Sequence, residues 1–201
     1  MIELPKRCEV NKFLPKKIFY EKVGVSSAVQ SEFVNQIERI TWLYKISSDT
    51  LGISKAEKVE EIEIFQLDLK NKTIPKNVIK SITKGIPYKI LFILKHDKDF
   101  CYLLKLDDIY NTEWNKEVKF EFNAINLDIL YENIVKQIID KKEDNRKVEE
   151  IIKENNIIND LEKRINNLKI KIKKEKQFNR KVELNLELQK LKKEMEDLKN
   201  E

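Results

Sequence analysis

The sequence predicts an α+β domain, a small mixed sheet with packed helices, followed by a C-terminal α-helical hairpin or coiled coil. Three observations carry that prediction. In the first 140 positions, apolar residues switch between the three-to-four spacing of helices and the two-residue spacing of strands. Ile90, Leu91, Phe92, Ile93 and Leu94 form an unbroken apolar run, as expected of a central strand buried on both faces. No Gly or Pro follows Pro87, and from Leu161 onward leucines and isoleucines recur in heptads.

Residues 1–25 read as an extended leader with Pro5 and Pro15 as breakers and Lys6, Arg7, Lys12, Lys16 and Lys17 as its charges. Ser26 or Ser27 can cap a first helix, with Gln30 placed to complete a capping box from Ser27. Val29, Phe33, Ile37, Ile40 and Tyr44 then share one apolar face and predict a helix over about 28–45. The stretch from Ser47 to Ser54, containing Gly52, is a predicted loop. Ile62, Ile64, Leu67 and Leu69 predict a strand over 59–69 with a slip near Phe65. Pro75 suits the first turn of a second helix, with Val78, Ile79 and Ile82 inward and Gly85 just past its end. Beyond Ile90–Leu94, Asp97-Lys98 predicts a tight turn into a strand over Phe100–Leu106. Val118, Phe120 and Phe122 alternate with charged residues and predict one more, half-buried strand. Asn126 can cap a closing helix that places Leu127, Leu130, Ile134 and Ile138 on one face. Helices and strands mixed in this order point to α+β architecture.

The charged stretch 141–147 has no apolar anchor and marks the predicted boundary between a domain over 1–140 and a helical region over 148–201. Leu161, Ile165, Leu168 and Ile172 form one heptad seam, and Leu184, Leu188, Leu191, Met195 and Leu198 form a second. The two are out of phase by two residues, and the first seam's next positions, Glu175 and Asn179, are polar. A break near Gln177–Asn179, with Asn179 as a cap and the helices folded antiparallel, absorbs the phase change more simply than a straight oligomeric coiled coil does. A flexible tail is the third reading.

Charged residues make up 37% of the chain, against a usual share of roughly 25%. The net charge is +5, yet residues 1–140 are close to neutral, with 22 Lys+Arg against 21 Asp+Glu. Residues 163–181 carry nine basic residues and one acid, Glu175, between two mildly acidic flanks. Such a block can meet phosphate or an acidic protein face, or fold against its own acidic neighbours. Cys8 and Cys101 lie far apart and form no CxxC pair, so neither a disulfide framework nor a zinc site is expected. No signal-peptide pattern and no membrane-length apolar run occurs, so the expectation is a cytoplasmic protein without membrane contact.

Catalytic patterns are sparse. His96, the sole histidine, sits in a predicted turn, where the plainer reading is a solvated side chain. Three glycines cannot build a phosphate-binding loop, and no cofactor is expected. Asp68-Leu69-Lys70 closes a strand that precedes a helix and a buried strand, the position at which restriction-type nucleases carry acid-x-Lys, the acid for a metal and the Lys for the attacked phosphate. Glu61 and Glu63 share that strand and are badly placed as a second carboxylate, which leaves Glu38. An acid-x-Lys pattern is common by chance in a chain so rich in Asp and Lys. Lys169, Lys171, Lys173, Lys174, Lys176, Arg180 and Lys181 are candidate nucleic-acid contacts, though Phe178 is the one aromatic among them. A solvated helical face is the plainer reading. Trp42 and Trp114 read as core or rim residues.

Four phrases resemble an uncharacterised prokaryotic family, the domain of unknown function numbered 4391: Leu14-Pro15-Lys16-Lys17 with Phe19-Tyr20-Glu21-Lys22, Ile86-Pro87-Tyr88, Tyr131 through Gln137, and Glu175 through Asn185. The resemblance spans essentially the whole chain. It implies a setting beside SNF2-type helicases and DNA methyltransferases, in restriction or phage-defence clusters, and transfers no catalytic residue. Gln177, Phe178, Asn179 and Arg180 are unusual for a generic heptad and mark a structured turn or, with Leu184, Leu188 and Leu191, a docking surface. The expected function is a non-catalytic accessory subunit whose C-terminal helices dock it onto a helicase, a methyltransferase or a second copy. The alternative is direct nucleic-acid binding, with metal-dependent cleavage through Asp68 and Lys70.

Overall fold

The computed structural model describes residues 2–200; Met1 and Glu201, the ends of the two predicted domains, lie outside them. The chain forms two compact units, one ending at Asp144 and one beginning at Asn145. The fold is α+β, a mixed six-stranded sheet with helices and a C-terminal helical region.

The predicted extended leader is instead a structured segment. A 3-10 turn over Lys6–Cys8 leads into β1 (Glu9–Phe13), and Pro15 stands at the N-cap of α1 (Lys16–Val23). Gly24 ends that helix at φ +62°, a conformation that costs glycine little. Ser26, rather than Ser27, caps α2 (Ser27–Gln36), its hydroxyl accepting the Val29 amide at 3.4 Å. The Gln30 side chain donates to the Val25 carbonyl, so the capping box does not form.

The predicted helix over 28–45 is overturned in its second half, where the chain is β2 (Ile37–Ser47). Register shifts in its pairing with β3 (Glu61–Leu69) fall between Ile37 and Arg39 and between Trp42 and Tyr44. A bulge adds one residue, so Ile37 and Ile40 face the same side of the sheet although three apart. A bulged strand thus reproduces helical spacing, while its Thr, Trp and Tyr content suits a pleated surface. The predicted loop after it contains a helical turn, α3 (Ser48–Leu51), closed by a Ser47/Thr50 capping box and by Gly52 at φ +71°. Within β3 alternation is regular through Phe65; the slip expected there belongs to β2.

The next elements follow the sequence reading in place and type: α4 (Lys76–Gly85), β4 (Lys89–His96) and β5 (Asp99–Lys105), with Asp97 at positive φ in the turn between the strands. Pro75, however, stands at the N-cap of α4 rather than in its first turn, and Gly85 is its last helical residue rather than the one past the end. The predicted strand over Val118–Phe122 is not one. Phe120 packs edge-on against Tyr102, with centroids 4.8 Å apart, but the segment joins no β-ladder. The sixth strand is the short β6 (Ile109–Asn111) on the far edge of β5. Asn126 caps α5 (Leu127–Ile138), its side chain accepting the Ile129 amide at 3.0 Å.

Spatial strand order equals chain order, and every neighbouring pair is antiparallel except β3 and β4, which the α4 crossover makes parallel. One face of the sheet buries Phe65, Leu67, Phe92 and Leu94 against Phe19, Phe33, Val78, Ile79 and Ile82 of α1, α2 and α4. Alternate residues on the other face, Ile62, Ile64, Leu91 and Leu104, are fully buried, and α5 packs against β3 and β5. The second unit holds α6 (Val148–Lys174) and α7 (Phe178–Asn200), joined by three residues and packed on each other.

Candidate functional site

The hairpin is built by its two seams. Leu161, Ile165 and Leu168 of α6 are buried with Leu191 of α7, and Ile172, Leu184, Leu188, Met195 and Leu198 pack around them. Leu184, Leu188 and Leu191, expected on a docking surface, therefore stand inside the hairpin. The break falls at 175–177, slightly earlier than expected, which places Asn179 within α7 rather than before it. Glu175 organises the turn: its Oε1 accepts the Lys176 amide at 2.8 Å and the Gln177 amide at 2.9 Å. The Gln177 amide first, then that of Lys176, holds the Glu175 carboxyl below its ordinary value, and a carboxylate suits the positive N-terminal end of α7.

Outside the seam, Phe178, Val182 and Leu186 recur every four residues along α7 and stay exposed, Phe178 at 78%. Gln177, Asn179 and Arg180, the chain neighbours of Phe178, are exposed as well, and Arg180 pairs loosely with Glu183 at 3.5 Å. Lys169, Lys171, Lys173, Lys174, Lys176, Arg180 and Lys181 are all exposed. Because the chain reverses at 175–177, the end of the basic block nearest the turn folds onto itself at the hairpin tip, while its start on α6 lies along the seam beside the mildly acidic flank in α7. Three of these lysines lie in the last turn of α6, where they complement the carbonyl end of the helix.

Asp68 closes β3 with its cross-strand neighbours Arg39 and Lys95 on either side, and its Oδ1 accepts the Gln66 amide at 2.7 Å. Lys70 lies just beyond the strand, exposed, its backbone N–H bonded to the Gln36 carbonyl. Glu38, expected on a helix, is the second residue of β2, at the register shift between Ile37 and Arg39. Lys16 lies within electrostatic reach of both; burial, then Lys70, holds its ammonium below the ordinary value, against the pull of Glu38. The structure thus gathers Asp68, Lys70 and Glu38 at one end of the sheet. Among the described residues, no group of three or more His, Cys, Asp or Glu is placed to hold a metal ion. His96 is partly buried, its Nδ1 at 3.1 Å from the Leu69 carbonyl.

Glu63, set aside in the sequence reading as a badly placed carboxylate, is the group that reading missed. It is 4% exposed, and its Oε2 has no hydrogen-bond partner. Burial pushes its carboxyl up to about 7, with the Trp42 indole working in the opposite sense and Glu61 adding to the rise. The available signal was one acid between Ile62 and Ile64 in a strand apolar on both faces.

Fold and surfaces together define an α+β domain chain bearing a helical hairpin with an apolar and basic tip. The chain belongs to the family described as a domain of unknown function (DUF4391), whose model matches residues 2–195. No curated protein and no solved structure matches the chain. No helix among the described residues is long and apolar enough to cross a membrane.

Proposed function

We propose that this chain is a non-catalytic accessory subunit of a DNA-processing complex of the restriction or phage-defence kind, docking through the tip of its C-terminal hairpin. The row Phe178, Val182 and Leu186 carries the reading. Apolar side chains four residues apart on an exposed helix face are the anchors a helix uses to enter a partner's groove, and a large exposed aromatic is a common centre of such contacts. The partner that the family resemblance implies is a helicase or a methyltransferase, with a second copy of the chain as the other occupant. The test is nuclease-treated affinity purification of the full chain beside a variant carrying Phe178→Ser, Val182→Ser and Leu186→Ser. Recovery of a helicase or methyltransferase with the parent and its loss with the variant is expected; equal recovery from both would sink the docking assignment.

The seven exposed basic residues at the same tip favour a second reading, direct contact with a nucleic-acid backbone. That contact would weaken steeply with added salt and be abolished by charge reversal at Lys171, Lys173 and Lys174. Should metal-dependent cleavage accompany it, Asp68→Ala must remove the cleavage for Asp68 and Lys70 to be its site.

A further inference from the structure

We propose that the cleft between α1, the β2–β3 ladder and the α4–β4 loop binds a small organic cation, an amine with an apolar body whose ammonium group sits on the Glu63 carboxylate. The cleft encloses about 240 Å³ and is lined by Leu14, Ile18, Phe19, Trp42, Glu63 and Tyr88, among others. Glu63 is its one charged lining residue. The nearest lysine on β2, Lys45, is engaged by Glu61 at 2.6 Å.

The occupant follows from what the walls lack. A buried carboxylate oxygen without a donor is unfavourable and is normally satisfied by protein or water; here the Glu63 Oε2 has no protein partner. The Trp42 indole lies near enough to Glu63 to oppose the rise of its carboxyl, but its N–H is directed to the Tyr44 carbonyl at 3.0 Å. An anion would meet the carboxylate with no lining cation to offset it, and a purely apolar molecule would leave the oxygen unpaired. A protonated amine supplies both a charge and donors, and the rings of Trp42, Tyr88, Phe19 and Phe65 attract a cation through their faces. The volume suits a molecule below drug size, since drug-sized pockets run from roughly 300 to 1,000 Å³.

The test uses the full chain at about pH 8, where Glu63 is mostly ionised even without a ligand, with benzylamine as the probe and benzyl alcohol as its uncharged counterpart. Trp42 and Trp114 are the only tryptophans, so two indole N–H resonances report on the titration, assigned with Trp42→Phe. Benzylamine should shift the Trp42 signal saturably and leave Trp114 still, with benzyl alcohol about tenfold weaker or worse. Glu63→Gln should weaken benzylamine by a similar factor. Ile18→Phe, an independent change at an exposed lining position, should block entry should Glu63→Gln disturb folding. Equal binding of the two probes, full benzylamine affinity in either substituted chain, or no Trp42 response to benzylamine would each overturn the assignment.

Discussion

Burial lifts the Glu63 carboxyl from its ordinary 4.5 to about 7 because ionisation would leave a charge among Trp42, Phe65 and neighbouring apolar walls. Glu61 on the same strand, Lys45 on β2 and Tyr88 in the α4–β4 loop are the titratable groups around it. Below 4.5 the carboxyl is protonated in folded and unfolded chains alike, and its contribution to stability is fully present. Between 4.5 and about 7 the unfolded chain ionises while the folded one keeps its proton, so stability falls as pH rises. The full loss, reached above about 7, is at most about 3 kcal/mol. Urea denaturation should therefore find Glu63→Gln increasingly favoured over the parent between pH 4.5 and pH 8, by an amount approaching about 3 kcal/mol. A constant effect of the new amide cancels between the two pH values. A pH-independent difference would mean that the Glu63 charge is satisfied in the folded chain.

Asp128, in the first turn of α5, ties that helix to the segment before β3. Its carboxylate accepts the amides of Glu57 at 3.1 Å, Lys58 at 3.2 Å and Val59 at 2.8 Å. Asp128→Ala orphans all three and should cost about 1–3 kcal/mol, with faster hydrogen exchange at the buried Val59 amide; unchanged exchange there would show that the segment holds without α5. Elements whose pattern is local and sustained were readable from sequence alone. The two leucine seams, the Ile90–Leu94 core of β4 and the Asn126 cap all lie where periodicity and capping chemistry place them. The misreadings have a common cause in pairing between distant segments. β2 imitates a helix because its bulges are set by its register with β3. Val118–Phe122 alternates as a strand does, but alternation does not say whether a neighbouring backbone is there to pair. β6 is only three residues long, too short for a pattern. Asp68, Lys70 and Glu38 were legible as residue types and the Glu63 cleft was not, since a cleft exists only once α1, β3 and the α4–β4 loop are assembled.

The two units rest on different physics: the first on a sheet buried on both faces, the second on one leucine-rich seam between two charged helices. Leu191 is 6% exposed at the centre of that seam, so Leu191→Asp buries an unpaired carboxylate there. Circular dichroism should show a loss of helical signal, while the Trp42 and Trp114 indole resonances of the first unit stay in place; a full helical signal would mean that the seam does not hold the hairpin. The borders of the sheet carry a different consequence. β1, at one end, is broken by a register shift between Glu9 and Lys12 and by Asn11 at φ +48°, and β6, at the other, offers only three residues. Irregular and very short border strands make poor templates for added backbone. The sheet is thus terminated against fibre-like growth and strand exchange, so the proposed partner would meet side chains rather than free backbone.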